Sequence, residues 1–189
     1  LDLAEKIPEI DAKKSVVTGC SRLGKAALVA AVRDERFAVC APVQTGGGGV
    51  PLAKRDFGEN VSTENRMFSH WYCAAYAKYA ADPAKLLTFD QHLFLACIAP
   101  RALLVEGFGD DWFDTEGEYL AVKAASPVWQ LLCGKGLAGA LRHLGDRRTT
   151  RLRAPHGAPR HLGPGLDLDA RLRGQGAEVS PPQRLLILV

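Results

Sequence analysis

The chain lacks the features that mark several common classes of protein. Its 189 residues contain no apolar run near the about 20 residues that a transmembrane helix needs. The formal net charge of +3 at pH 7 gives no basis for a nucleic-acid or membrane partner. The five cysteines are an odd number without zinc-ligand spacing, so we predict neither complete disulfide pairing nor a metal site. We therefore expect no nucleic acid, membrane, metal or cofactor to take part in the function.

Lysine and aromatic residues are missing from the end of the chain. After Lys135 there is no lysine, phenylalanine, tyrosine or tryptophan, and arginine, glycine, proline, alanine and leucine predominate. Residues 147–183 keep neither a period of two nor one of 3.6. We predict a globular domain over residues 1–137 and an Arg-, Gly- and Pro-rich tail over residues 138–189 with the composition of a disordered segment. A divergent tail and a change of reading frame near residues 138–150 both stay open.

What the chain does have is concentrated in residues 16–25, which read Val-Val-Thr-Gly-Cys-Ser-Arg-Leu-Gly-Lys. We interpret residues 13–17, which end in the β-branched pair Val16-Val17, as a short strand, and residues 25–32 as a helix with a mostly apolar surface. Ser21 therefore stands at a tight turn from strand to helix.

Dinucleotide sites also use a glycine-rich turn between a strand and a helix. Such a site has three glycines in the turn, and this chain has only Gly19 and Gly24. Its acidic residue follows by about 20 positions, whereas Asp34 and Glu35 come too early. The Tyr-x-x-x-Lys pair of the short-chain dehydrogenases is also missing, because no tyrosine stands four residues before Lys78. The turn fits a nucleotide site poorly.

The same turn matches the nucleophile elbow of serine hydrolases, in which a strained turn lifts a serine hydroxyl above the sheet. The usual pattern is Gly-x-Ser-x-Gly, and here the second glycine stands one place late, at position 24. Arg22 follows Ser21 directly, and a guanidinium beside the nucleophile can stabilise the negative oxygen of a tetrahedral intermediate. The alternative is a serine that only caps the helix, followed by a solvated arginine.

Residues 19–25, Gly-Cys-Ser-Arg-x-Gly-Lys, resemble the nucleophile motif of the glucuronoyl esterases, carbohydrate esterase family 15. Further blocks resemble segments of bacterial members in the same order: residues 34–38, 46–49, 68–73, 90–92, 98–101 and 125–128. The resemblance covers roughly residues 8–137. It implies an α/β chain with a partial α/β-hydrolase fold, a three-layer sandwich around a mostly parallel sheet. It also implies a domain truncated at its N-terminus, because members carry several strands before the elbow.

The resemblance implies roles at the positions that match. Ser21 would attack the ester carbonyl of a glucuronic acid residue, and Arg22 would contribute to the oxyanion site. Lys25 matches a lysine that contacts the sugar. Glu59 matches a sugar-binding glutamate, and Trp112 resembles a tryptophan that lines the glucuronate site, with a hydrophobic residue at a helix start as its alternative.

The acid of the catalytic triad departs from the family pattern. Many members carry a glutamate where this chain has Gln44, and an amide cannot stabilise the imidazolium that forms during catalysis. Other bacterial members place the acid after a later strand, where Asp110 and Asp111 stand in this chain. Asp110 is our candidate, although Gly-Asp-Asp is also an ordinary turn sequence.

The base is a second departure. In this fold the histidine follows the acid, which leaves His143, His156 and His161. His161 lies nearest to the family spacing and is our candidate, with His156 next, although the neighbours of neither resemble the family. His70 and His92 match family motifs but precede the acid, so we expect them to have a structural or substrate-pocket role.

These features together predict a serine carboxylic-ester hydrolase that cleaves the 4-O-methyl-glucuronate esters linking xylan to lignin alcohols. That ester is its predicted substrate partner. Two alternatives stay open: an inactive remnant or carbohydrate-binding protein, and a general carboxylesterase of the same fold. The family resemblance implies a secreted or periplasmic protein, although no signal peptide is visible. Cys20 resembles a half-cystine of some members, but no cysteine follows Cys133 to pair with it, so we expect a free thiol.

Overall fold

A computed structural model describes residues 1–86, 88–108 and 111–137, together with the strand at residues 185–188. Asp110, His143, His156 and His161 lie outside the described residues. The proposed division of the chain at residue 137 stays a prediction.

The described strands form one sheet in the order β1–β2–β3–β4. The strands are β1 (Val16–Cys20), β2 (Val39–Val43), β3 (Ala102–Gly107) and β4 (Leu185–Leu188). The first three are parallel, and β4 pairs antiparallel with β3. Cys20 lies opposite Val43, which in turn lies opposite Glu106. The carboxyl ends of the three parallel strands therefore meet at one edge of the sheet, where α/β folds place their sites.

The described helices alternate with these strands, as in an α/β chain. They are α1 (Arg22–Arg33), α2 (Val61–Phe68), α3 (Ala74–Ala80), α4 (Pro83–Leu86), α5 (Gln91–Ala96) and α6 (Thr115–Cys133). Short 3-10 turns lie at Ala4–Lys6, Ala12–Lys14, Ser69–Trp71 and Asp111–Phe113. Within these ranges no helix has both the length and the apolar character needed to cross a membrane. The mostly parallel sheet with intervening helices agrees with the predicted α/β class.

The helix after the elbow forms because its small and apolar residues follow the helical period. Gly24, Ala27, Leu28 and Ala31 are buried, which gives one continuous stripe along α1. This stripe faces β1 and β2. The helix is therefore held on the sheet from its first turn, which fixes the position of the turn before it.

One apolar cluster joins α1, the sheet, α5 and α6. Its buried members are Leu28, Ala31, Cys40, Val50, Leu95, Ile98, Leu103, Val105, Ala121, Val122, Ala125 and Trp129. The Trp129 indole donates to the Arg101 carbonyl at 2.8 Å, so the largest buried side chain also has its polar atom satisfied. This core packs α1 against the sheet and so fixes the position of the turn before α1.

The strand before the elbow begins later than the sequence predicts. Residues 12–14 form a 3-10 turn that the Ser15 amide closes by donating to the Ala12 carbonyl at 3.3 Å. β1 therefore starts at Val16 rather than at residue 13. At the other end of the chain, Leu185–Leu188 forms a strand within the segment assigned to the tail.

Candidate active site

Ser21 occupies the strained turn that the elbow hypothesis requires. Its backbone has φ 57° and ψ −126° at the N-cap of α1, a conformation that is costly for a residue with a side chain and is typical of functional sites. The Ser21 amide donates to the Val43 carbonyl at 2.9 Å, which ties the turn to the end of β2. The side chain makes no capping hydrogen bond. The alternative interpretation, in which the Ser21 hydroxyl caps the helix, is therefore wrong.

The two glycines explain why the motif has its second glycine at position 24. A Cβ at Gly19 would lie 2.5 Å from the backbone of Leu23, and a Cβ at Gly24 would lie 2.8 Å from the Gly19 carbonyl oxygen and from Thr45 Cγ2. Leu23 itself is 64% exposed. Position 24, not 23, is thus where the helix crosses the strand ends, and only glycine allows this close approach.

Lys25 lies one helical turn after Ser21 and points into a polar pocket. Its ammonium pairs with Glu64, lies 3.7 Å from Glu59 Oε2 and lies 3.4 Å from the Tyr72 hydroxyl. The Lys25 side chain is only 11% exposed, and Glu64 is fully buried. The Tyr72 hydroxyl donates to the other oxygen of Glu64 at 2.6 Å. Both oxygens of the buried carboxylate are thereby satisfied.

Glu59 and Trp112 belong to the same group of polar contacts around Lys25. The Trp112 indole donates to Glu59 Oε1 at 3.2 Å. Burial, together with the neighbouring Glu64 carboxylate, raises the pKa of Glu59 to about 7, while Lys25 acts in the opposite direction. Glu59 therefore holds a proton below neutral pH, and the pocket then offers donors and acceptors without excess negative charge. Such a surface suits a ligand that carries several hydroxyl groups.

Helix caps hold these two residues in place. The Asn60 side chain, next to Glu59, accepts from the Thr63 amide at 2.8 Å and starts α2. The buried Asp114 side chain, two residues after Trp112, accepts from the Gly117 amide at 3.0 Å and starts α6. Both pocket residues thus stand immediately before a capped helix, which limits their movement.

Arg22 differs from Lys25 in its surroundings. It is exposed, and its guanidinium carbon lies 5.2 Å from the centroid of the Trp71 ring. The two cations of the first helical turn therefore differ in their partners: Lys25 pairs with a buried carboxylate, whereas Arg22 is exposed and lies against an aromatic ring.

The structure brings five of the seven candidate site residues to the start of α1 and the pocket beside it: Ser21, Arg22, Lys25, Glu59 and Trp112. The other two, Asp110 and His161, lie outside the described residues, so their roles stay predictions. Gln44 follows β2, and its backbone amide donates to the backbone carbonyl of Glu106 at 2.9 Å.

Sequence reasoning missed Glu64, Trp71 and Tyr72. One signal for Glu64 was available, because Val61, Glu64 and Phe68 follow each other at spacings of three and four, the period of a buried helix stripe. A carboxylate on such a stripe has to find a buried partner. No comparable pattern marks the two aromatic residues.

The two histidines that matched family motifs lie in different settings. His70 is exposed and contacts the edge of Trp71, with ring centroids 5.8 Å apart. His92 lies on α5, and its Nδ1 is buried without a hydrogen-bond partner among the described residues. Their expected structural or pocket roles stay predictions.

All five cysteines, Cys20 among them, have free thiols. Burial raises the pKa of the Cys40 thiol to about 11. In the described ranges no group of three or more His, Cys, Asp or Glu side chains is arranged to hold a metal ion.

Glu118 supports the loop after β2 from inside the core. Its fully buried carboxyl accepts from the Thr45 amide at 3.2 Å and from the Thr45 hydroxyl at 3.4 Å. The same hydroxyl accepts from the Val50 amide at 2.7 Å. Because the Thr45 methyl group packs against Gly24, this contact supports the first turn of α1 as well.

Stability is expected to fall as pH rises, in part because of Glu118. Burial raises its pKa to about 8, whereas an unfolded glutamate titrates near 4.5. Between these values the unfolded state releases a proton that the folded state keeps, so the free energy of unfolding decreases by up to about 1.4 kcal/mol per pH unit. Urea unfolding of the wild type and of Glu118→Gln at pH 5, 6, 7 and 8 measures this difference. The difference should change with pH up to about pH 8, and a constant difference would contradict the assignment.

Comparison with known proteins identifies related sequences. The family model described as "Glucuronyl esterase, fungi" matches residues 1–133. Carbohydrate esterase MZ0003, from an unknown prokaryotic organism, is 41% identical over 138 residues, which are 72% of this chain and 32% of that protein. The 4-O-methyl-glucuronoyl methylesterase of Hypocrea jecorina is 32% identical over 141 residues, 70% of this chain and 30% of that protein. This chain thus spans about a third of the length of these curated relatives.

Solved structures give the same result. A promiscuous CE15 esterase from a marine bacterial metagenome superposes with a TM-score of 0.70 at 40% identity, over 74% of this chain and 35% of that chain. The glucuronoyl esterase catalytic domain from Hypocrea jecorina gives a TM-score of 0.62 at 31% identity, over 69% and 38%. These likenesses confirm the predicted α/β-hydrolase fold class with partial coverage, and they favour the hydrolase interpretation of the turn over the dinucleotide-binding one.

Proposed function

We propose, from the premise that this chain belongs to the glucuronyl esterase family, that the protein hydrolyses the 4-O-methyl-glucuronate esters that link xylan to lignin alcohols. The family is one of carboxylic-ester hydrolases. The observation that carries the proposal is the Ser21 hydroxyl, which makes no capping hydrogen bond and lies at a strained turn, one helical turn from the polar pocket around Lys25. A nucleophile next to a cluster of hydrogen-bonding side chains suits an ester of a sugar acid.

In the proposed reaction Ser21 Oγ attacks the ester carbonyl carbon while its proton passes to a histidine, for which His161 is the candidate. The bond to the alcohol breaks, and the histidine returns the proton to the leaving alkoxide. A water molecule then attacks the glucuronoyl ester of Ser21 by the same route and releases the free acid. Asp110 is the candidate that orients the histidine and stabilises its charged form.

Negative charge on the carbonyl oxygen is the main electrostatic demand of both steps. The first backbone amides of α1 have no partner within the helix and lie at the positive end of its dipole. The Arg22 guanidinium adds a full positive charge beside Ser21 that persists at every relevant pH. The helix amides and the Arg22 guanidinium together support an oxyanion site at the start of α1, to which Arg22 contributes.

The pocket supports recognition of the glucuronate ring. We propose that Lys25 and Glu59 hydrogen-bond its hydroxyl groups, and that the partly exposed Trp112 ring lies against the apolar face of the sugar. Glu64 and Tyr72 hold the Lys25 ammonium in place. A substrate in a plant cell wall also favours a secreted or periplasmic location, which we propose for the protein.

Two departures from the family pattern favour a second candidate function. Gln44 stands where many family members carry the acid, and the neighbours of His161 do not resemble the family. A protein that binds glucuronate without turnover would keep the pocket but not the triad. We therefore retain a carbohydrate-binding role as the alternative.

The test compares hydrolysis of benzyl glucuronate with hydrolysis of an aryl acetate, and measures glucuronate binding by calorimetry. Preference for the glucuronate ester supports the proposed function. Binding without hydrolysis supports the carbohydrate-binding alternative. Preference for the aryl acetate indicates a general carboxylesterase.

A further inference from the structure

One aromatic ring contacts both cations at the start of α1. The centroid of the Trp71 ring lies 5.2 Å from the guanidinium carbon of Arg22 and 5.9 Å from the ammonium of Lys25. Lys25 is also held by two carboxyl groups and a tyrosine hydroxyl. The exposed Arg22 side chain makes a cation–π contact with the Trp71 ring.

The Trp71 ring is itself held on several sides. Phe68 stacks on it with ring centroids 4.1 Å apart and planes 4° apart, and His70 contacts it edge-on at 5.8 Å. The next residue, Tyr72, is anchored by its hydrogen bond to the buried Glu64. Trp71 therefore presents a fixed face, whereas an exposed arginine has a long side chain with many rotamers.

We propose that Trp71 is a positioning residue that holds the Arg22 guanidinium beside Ser21. A cation stabilises a developing oxyanion best when it is already in place, because no reorganisation is then needed as the charge forms. The ring restricts Arg22 through attraction between its electron-rich face and the cation. The proposal rests on the proposed esterase function, in which Arg22 stabilises the oxyanion.

A double-mutant cycle tests whether Trp71 acts through Arg22. We expect Trp71→Leu to lower kcat for benzyl glucuronate about two- to fivefold with KM little changed, the size of an exposed cation–π contact. Trp71→Phe should retain part of the rate. In an Arg22→Met background, Trp71→Leu should have no further effect, because residues that act as one unit are not additive. An equal fold-loss in both backgrounds, or no loss in either, overturns the proposal.

A nuclear magnetic resonance measurement separates this proposal from the esterase function. The indole ring current should displace the Arg22 Nε–Hε resonance, and Trp71→Leu should remove that displacement. Tyr79→Leu is the matched control, because Lys78 lies 5.8 Å from that ring in a separate cation–π pair. If the unsubstituted protein hydrolyses no glucuronate ester, the proposed function fails, and the resonance alone then decides whether Trp71 holds Arg22. An Arg22 resonance unmoved by Trp71→Leu overturns the proposal.

Discussion

Replacement of Ser21 with alanine is expected to lower kcat for benzyl glucuronate by at least about 10^4-fold, since loss of a serine nucleophile removes the covalent route altogether. The substitution should leave the sugar pocket intact, because Lys25 and Glu64 contact each other and not the hydroxyl. Removal of the hydroxyl should not change the conformation of the turn, since the backbone amide at position 21 still donates to the Val43 carbonyl. Steady-state kinetics and calorimetric binding of glucuronate measure the two effects separately.

Ser15→Ala is the matched control for this prediction. Ser15 precedes β1 at the opposite end of the strand, where its hydroxyl donates to the Arg36 carbonyl at 3.4 Å, so its removal should leave kcat unchanged. Turnover that survives in Ser21→Ala would exclude Ser21 as the nucleophile. Glucuronate binding in both proteins, with hydrolysis in neither, would establish the carbohydrate-binding alternative.

The elbow could be predicted because the information for it is local. Ser21 stands between a β-branched run and a helical stripe, and the two glycines that allow the close crossing lie within five residues of each other. The later strand that the family pattern places before Asp110 and Asp111 is β3, Ala102–Gly107. The start of β1 was predicted too early, because a 3-10 turn at residues 12–14 uses the backbone that a longer strand would need, and α1 begins three residues before its predicted start.

The contacts of the pocket could not be predicted in the same way, because they join distant parts of the chain. Lys25 and Glu64 are 39 residues apart, and no local pattern states which carboxylate the lysine meets. The family resemblance supplied Lys25, Glu59 and Trp112 but gave no sign that the closest partner of Lys25 is Glu64. Trp71 was hidden for the same reason, since its role depends on which face of α1 it covers.

The sheet register bears on the missing acid. Val43 lies opposite Glu106, and the Gln44 amide donates to the Glu106 carbonyl, so the loops that follow β2 and β3 leave the sheet side by side. A loop that carries an acid after β3 therefore begins next to the loop that carries Gln44 after β2. This adjacency supports the proposal that an aspartate after β3 serves where Gln44 cannot.

The second large effect is expected at Lys25. In Lys25→Met the fully buried Glu64 carboxylate would keep its hydrogen bond from Tyr72 but lose its cation, and Glu59 would lose the ammonium that lies 3.7 Å from it. Removal of one partner from a buried ion pair costs about 3–5 kcal/mol, because the remaining charge stays buried and uncompensated. Urea unfolding at pH 7 should show that loss in the free energy of unfolding, and glucuronate binding should weaken with it.

A second substitution distinguishes this mechanism from a simple loss of packing. Lys25→Met combined with Glu64→Gln leaves a neutral pair, so most of the lost stability should return although the lysine is still absent. Lys14→Met is the surface control, because Lys14 is 81% exposed and pairs with the exposed Asp11, and it should change the free energy of unfolding by less than about 1 kcal/mol. If the double variant is no more stable than Lys25→Met alone, the buried charge is not what destabilises the protein, and the packing of the lysine side chain must account for the loss.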